Sequence, residues 1–176
     1  SWLPATHDLG LVYGRFMAPF IGFRCVFMSP VSFMQRPQRW LDAIHTYRGT
    51  HSPSPNFGFE VVAHKTTPES RAHLDLSSLR VVLNGAEPIR QTSEALFIEA
   101  LTPHGLPPAA VTHAMGMSEA TAKIITEPIG RFPARFVAVD PKAYERNEVV
   151  VVPLDSEGAF EVASKVGQVH EQSIPD

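Results

Sequence analysis

The chain has 176 residues, 44% of them hydrophobic and 19% charged, with a net charge of -3. That suits one core of ordinary domain size. Scattered lysines and arginines give no basic patch for nucleic acid, and no apolar run reaches membrane-spanning length. The single cysteine, Cys25, excludes an internal disulfide and suits a reducing cytoplasm.

In chain order, residues 2–4 read as a strand end. Asp8 can cap a helix from Leu9 to about Phe20, apolar on most faces and so expected to be buried. Residues 23–28 form a second strand candidate, and Ser29-Pro30 starts a helical turn. Pro37 opens a helix with Trp40, Leu41, Ile44 and Tyr47 at helical spacing, ended by Gly49. Residues 51–55 read as a loop, residues 56–64 as a helix and residues 68–74 as a short helix. Leu79-Arg80-Val81-Val82-Leu83 is a buried strand that turns at Asn84-Gly85-Ala86-Glu87-Pro88. Thr92 or Ser93 caps the next helix, which Gly105 and Pro107-Pro108 end. Residues 111–115 form the next strand, turning at Gly116. Residues 123–126, 132–139, 148–152 and 159–162 are strand candidates at hairpin spacing, with a helical turn at 143–146 between two of them. The whole reads as α/β, with a mostly parallel sheet and flanking helices over residues 1–125 and a β-rich segment over 126–176. The sequence begins Ser1-Trp2-Leu3-Pro4 and stops at Ile174-Pro175-Asp176 in mid-pattern, so an internal piece of a larger domain is expected.

Two strands ending in tight turns are where open α/β sheets bind ligands. The first turn, Asn84 to Pro88, carries Gly85, which lets backbone come close to a ligand. On its own this pentapeptide reads better as an ordinary strand-to-helix turn. In the second turn, Glu119 alone reads as a charge at a helix N-terminus and Ser118 as an N-cap. His7 alone reads as a cap, and Phe57 and Phe59 as core.

Taken in order, several motifs carry a resemblance. They are Ser1-Trp2-Leu3-Pro4-Ala5-Thr6-His7-Asp8-Leu9-Gly10-Leu11, Ser29-Pro30-Val31-Ser32-Phe33 and Pro55-Asn56-Phe57. They continue with Asp75-Leu76-Ser77-Ser78-Leu79-Arg80, Asn84-Gly85-Ala86-Glu87-Pro88-Ile89-Arg90 and Gly116-Met117-Ser118-Glu119-Ala120-Thr121. As a set they resemble the fatty acyl-AMP ligases, a branch of the adenylate-forming enzymes. The resemblance implies ATP-dependent activation of a fatty acid to an acyl-adenylate. The acyl group then passes to an acyl carrier protein or a polyketide synthase carrier domain, in lipid or polyketide biosynthesis. It further implies that the phosphate loop, upstream in the family, and the small lid domain with its catalytic lysine lie outside this sequence.

By the same resemblance Glu119 would help hold Mg²⁺ beside the phosphates of ATP, Ser118 would donate to the α-phosphate, and His7 would lie near the acyl carboxylate. Asn84, Gly85, Ala86, Glu87 and Pro88 would form the adenine wall, with Met115, Gly116 and Thr121 completing the nucleotide site. Asn56, Phe57 and Phe59 would line the acyl tunnel. Met115 departs from the family, which carries an aromatic residue there to stack on adenine. Residues 140–151 resemble the extra segment that separates these ligases from the CoA-forming branch.

Three alternatives stay open on the sequence. A long-chain acyl-CoA ligase is the near one. A serine hydrolase is another: Gly116-Met117-Ser118-Glu119-Ala120 approximates a nucleophile elbow, and Asp155 and His170 follow in the right order. The third is a non-catalytic AMP-binding-like domain that binds lipid or a protein partner.

Overall fold

The structure is a computed structural model and describes residues 1–120, 122, 124–126, 136–146, 148–153 and 160–163. Thr121, Asp155, His170 and the start of the strand expected at 132 lie outside the described residues.

A π-helical segment, Leu9–Phe16, runs into α1, Met17–Ile21. Then come α2, Pro30–Gln35, and α3, Gln38–Tyr47. β1, His51–Ser54, leads directly into α4, Asn56–Lys65, and then α5, Pro68–Arg71. β2, Val81–Gly85, is followed by α6, Gln91–Leu101, and β3, Val111–Met115. β4, Ile125–Thr126, closes the first sheet. β5, Phe136–Val139, α7, Pro141–Glu145, β6, Val151–Val152, and β7, Phe160–Ala163, follow.

The first sheet has the order β1-β2-β3-β4. β1, β2 and β3 are parallel, with Ser54 opposite Asn84 and Asn84 opposite His113, while β4 runs antiparallel to β3. The second sheet, β6-β5-β7, is antiparallel throughout. The parallel sheet with its flanking helices is the α/β arrangement read from the sequence.

Successive strand residues point to opposite faces, and the two faces of the first sheet differ in use. Val82 and Val111 face a core built from α3, α4 and α6. There the Phe59 and Phe97 rings stack at 4.2 Å, and Trp40 lies 6.1 Å from Phe97. Trp2 stacks on Phe33 at 3.9 Å, which ties the start of the chain to α2. Leu83, Gly85 and Ala114 line a cleft on the other face, beneath the π-helical segment.

Several expectations are corrected. Residues 51–55 are not a loop. β1 lacks β-branched residues and contains Pro53, so its pattern hides it. It is fixed instead by parallel pairing with β2 and by a 2.8 Å bond from Trp40 Nε1 to the buried Ser52 hydroxyl. Residues 2–4 and 23–28 are not assigned as strands, although they run side by side: the Ser1 amine donates to the Val26 carbonyl at 2.7 Å, and Met28 N–H to the Ser1 carbonyl at 3.1 Å.

The helix from Leu9 is not buried. It hides only Gly10, Gly14 and Ala18, and Phe20 is 90% exposed. A side chain at Gly10 would meet the Pro4 carbonyl oxygen at 2.2 Å, so the small residues let the segment lie directly on the chain start. Asp8 precedes this segment without capping it; the bond comes from His7, whose Nδ1 accepts from Leu9 N–H at 3.2 Å. Arg48 rather than Gly49 takes the left-handed position after α3, at φ 53°, held by a bond to Ser77 and an ion pair with Asp75. Neither Thr92 nor Ser93 caps α6; Arg90 sits at that position, and its side chain does not cap the helix.

Candidate functional site

Both turns open on the cleft face. A void of ≈ 410 Å³ is walled by His7 and Asp8, by Gly85 and Ala86 at the end of β2, and by Met115 to Glu119 at the end of β3. Thus His7, Gly85, Ala86, Met115, Gly116, Ser118 and Glu119 come together, although the chain brings them from three separate places.

Each wall has a local cause. At Gly85 an added Cβ would sit 2.5 Å from the Ala114 carbonyl oxygen of the neighbouring strand. The glycine is therefore required by the approach of β2 to β3, not only by room for a ligand. Ala86 follows at φ 71°, a left-handed conformation unusual for a residue with a Cβ, and bends the chain out of the sheet.

Glu87 does not face the cleft; its Oε1 accepts from Phe57 N–H at 2.6 Å at the start of α4. The Asn56 Oδ1 accepts from Arg90 N–H at 3.1 Å, and its Nδ2 donates to the Ser93 hydroxyl at 3.1 Å. Asn56 and Glu87 together brace the turn against α4. Asn56, Phe57 and Phe59, expected along the acyl tunnel, are not brought to the cleft: Asn56 is in this brace, Phe59 is core, and Phe57 packs edge-on to Trp2 at 5.8 Å. Asn84 is also turned away, fully buried on the helix-covered face with neither side-chain polar atom paired. Pro88 is exposed beyond the cleft lining.

The second turn is a hairpin, not the entry to a helix. Ser118–Ala120 makes one 3₁₀ turn, Ala120 and Ala122 N–H both donate to the Met117 carbonyl at 3.1 Å, and β4 returns beside β3. Glu119 therefore has no helix N-terminus to serve, and the strand-turn-helix geometry of a nucleophile elbow is absent at Ser118. The Ser118 hydroxyl donates to the Asp8 carboxylate. Asp8 is thus a cleft residue that a capping pattern disguised; its place beside His7 was the available signal.

Met115 is 41% exposed, with Met117 and Met17 lining the same space. Tyr13 and Met17 also border a second, mostly apolar cavity of ≈ 550 Å³ between the π-helical segment, α3 and β1, lined in part by Cys25, Ile44 and Tyr47. Burial pushes the Tyr13 phenol up from its ordinary value, so it stays a neutral hydroxyl between the two spaces. Among the described residues no cluster of three or more His, Cys, Asp or Glu could hold a metal by itself. The cleft does offer two hard carboxylates, Asp8 and Glu119, the donor type that Mg²⁺ takes alongside substrate phosphates.

A parallel sheet with a cleft at its strand ends, walled by two turns, is the α/β class that binds ligands at that edge. The chain belongs to the AMP-binding enzyme family, whose sequence profile matches residues 1–160. It is 44% identical over 152 residues to the medium-chain-fatty-acid (acyl-carrier-protein) ligase JamA of Moorena producens, covering 86% of this chain and 26% of that protein. It is 38% identical over 174 residues to the long-chain-fatty-acid–AMP ligase FadD32 of Mycolicibacterium smegmatis, covering 95% of this chain and 27% of that one. The chain thus spans about a quarter of the length of these curated relatives. Its fold matches the fatty acyl-adenylate ligase of L. pneumophila solved with acyl adenylate and pyrophosphate, at TM-score 0.83 and 31% identity, over 92% of this chain and 28% of that one. No helix among the described residues is long and apolar enough to cross a membrane.

Proposed function

We propose that the protein carrying this chain activates a fatty acid with ATP and passes the acyl group to a carrier-protein thiol. The observation that carries this reading is the pairing of two spaces. A cleft with two carboxylates, a hydroxyl and an imidazole adjoins a large apolar cavity, and Tyr13 and Met17 line both.

In this reading a carboxylate oxygen of the fatty acid attacks the α-phosphorus of ATP, the bond to the β-phosphate oxygen breaks, and pyrophosphate leaves. His7 Nδ1 accepts a hydrogen bond from Leu9 N–H, which leaves Nε2 to carry the ring hydrogen and donate to the acyl carboxylate. Asp8 holds the Ser118 hydroxyl, which can swing to the α-phosphate as charge builds there. Glu119 and Asp8 are the residues that would hold Mg²⁺, which neutralises the departing pyrophosphate when bound. The apolar cavity takes the acyl chain, and the exposed Met115 covers the base by dispersion.

The extra segment contains α7, capped by Asp140, whose carboxylate accepts from Lys142 N–H at 2.8 Å and Ala143 N–H at 3.1 Å. By its resemblance, this segment supports a carrier thiol over CoA as acceptor.

The test is fatty-acid-dependent pyrophosphate exchange by the product of the complete reading frame that contains these residues, followed by transfer to holo carrier protein or to CoA. Glu119→Gln is expected to lower exchange about 10²-fold or more with an unchanged unfolding temperature. Acyl binding without any exchange in the unaltered protein would overturn the reading.

A further inference from the structure

On the far side of the sheet from the cleft lies a buried acid–imidazole pair with no part in the chemistry above. Glu94 on α6 is 4% exposed and His113 on β3 is 2% exposed, with Oε2 and Nε2 at 2.5 Å. The pair is buried where α6, β2, β3 and β5 meet. Asn84 of β2 stands in register beside His113, and the Phe136 ring of β5 meets the imidazole edge-on at 5.8 Å. Ser93, next to Glu94, bonds Asn56 and Glu60 of α4, and Arg90 lies 3.9 Å from Glu60 at the rim.

The location gives the pair its meaning. α6 is the element that leaves the Gly85–Pro88 turn through Ile89 and Arg90. β3 is the strand that delivers Met115 to the second turn. Glu94 and His113 are thus a direct side-chain link between the elements behind the two cleft walls. A hydrogen bond between buried groups is directional, whereas apolar contact tolerates sliding and rotation. A buried ionisable pair is weak evidence for stability, since apolar residues of similar volume often serve as well or better. Its effect is then better sought in geometry.

We infer that Glu94 and His113 are a positioning pair that sets the placement of the Gly85–Pro88 turn relative to the Met115–Glu119 turn. Neither residue touches the cleft; both act through α6 and β3. The consequence for turnover rests on the nucleotide-site reading above, but the placement itself does not.

The deciding variant is the double replacement Glu94→Leu with His113→Leu, made in the product of the complete reading frame. Removing one partner alone would strand the other in the core and confuse unfolding with misplacement. The double variant is expected to keep its unfolding temperature. Amide hydrogen exchange at residues 85–90 and 115–120 should quicken about tenfold, while Val82 and Val111 stay protected. Glu94→Gln, which keeps a directional bond to the ring, should retain slow exchange in both turns. Unchanged exchange in the double variant overturns the inference, as does acceleration spread evenly over the chain or fast turns in Glu94→Gln. In a catalytically active parent the double variant should also raise KM for ATP about tenfold, with a smaller change in kcat. An unaltered protein without pyrophosphate exchange counts against the functional reading alone, because hydrogen exchange still decides the positioning role.

Discussion

Replacing Gly85 by alanine tests whether strand spacing or ligand clearance demands the glycine. The new Cβ would lie 2.5 Å from the Ala114 carbonyl oxygen, in a parallel register that pairs these two residues. Comfortable contact needs roughly 3.5 Å, so β2 and β3 must part by about 1 Å at their cleft ends. Overpacking of this kind costs about 1–3 kcal/mol. A loss of about 2 kcal/mol is roughly a 30-fold change in the folding equilibrium. The same displacement moves both turns at their roots and should lower pyrophosphate exchange about 10²-fold. The assay is denaturant unfolding of the variant beside Gly49→Ala, where the nearest atom would be 3.5 Å away and a change within about 0.5 kcal/mol is expected. A Gly85→Ala protein with an unshifted midpoint and lost nucleotide binding would refute the reasoning, because ligand clearance would then be the constraint.

Three other outcomes are expected. Met115→Tyr should restore ring stacking on the base and lower KM for ATP by roughly tenfold; an unchanged KM would place the side chain off the base. The Asp75 carboxyl is held down to about 2 from its ordinary 3.8 by the side chain and backbone N–H of Ser77 and by Arg48. Its stabilising effect is therefore complete above its unfolded value and fades as pH falls through its folded one. The gap in denaturant midpoint between wild type and Asp75→Asn should shrink between about pH 4 and pH 2, and a pH-independent gap counts against this. A fluorophosphonate probe should leave Ser118 unlabelled, since its hydroxyl faces a carboxylate and its turn leads into a hairpin; labelling there would favour a hydrolase.

The elements that announced themselves did so through local chemistry. Ser29 before Pro30 accepts from Ser32 N–H at 3.1 Å as a cap should, and Gly105 takes φ 91° where the 3₁₀ turn Thr102–His104 after α6 stops. β2 was readable as an unbroken apolar run because both of its faces are covered. β1 was not, because a strand of serines, histidine and proline is specified by its neighbours and carries no signal of its own. The cleft was legible as two turns after two strands. The roles of Asn56 and Glu87 were not, since a polar side chain that braces a loop looks the same in sequence as one that meets a ligand. Glu94 and His113 were invisible for a similar reason: their spacing matches no motif, and only the crossing of α6 behind β3 makes them neighbours.

The segment from Leu9 to Ile21 reverses the usual map of mutational tolerance. Its bulky residues Phe16 and Phe20 point outward, while the hidden positions are Gly10, Gly14 and Ala18. Exchanging an aromatic here for something polar disturbs little inside this chain, whereas adding one methyl group at Gly10 collides with the peptide of Pro4. Within this chain, the outward aromatics Phe16 and Phe20 thus tolerate exchange that the small inward position at Gly10 does not.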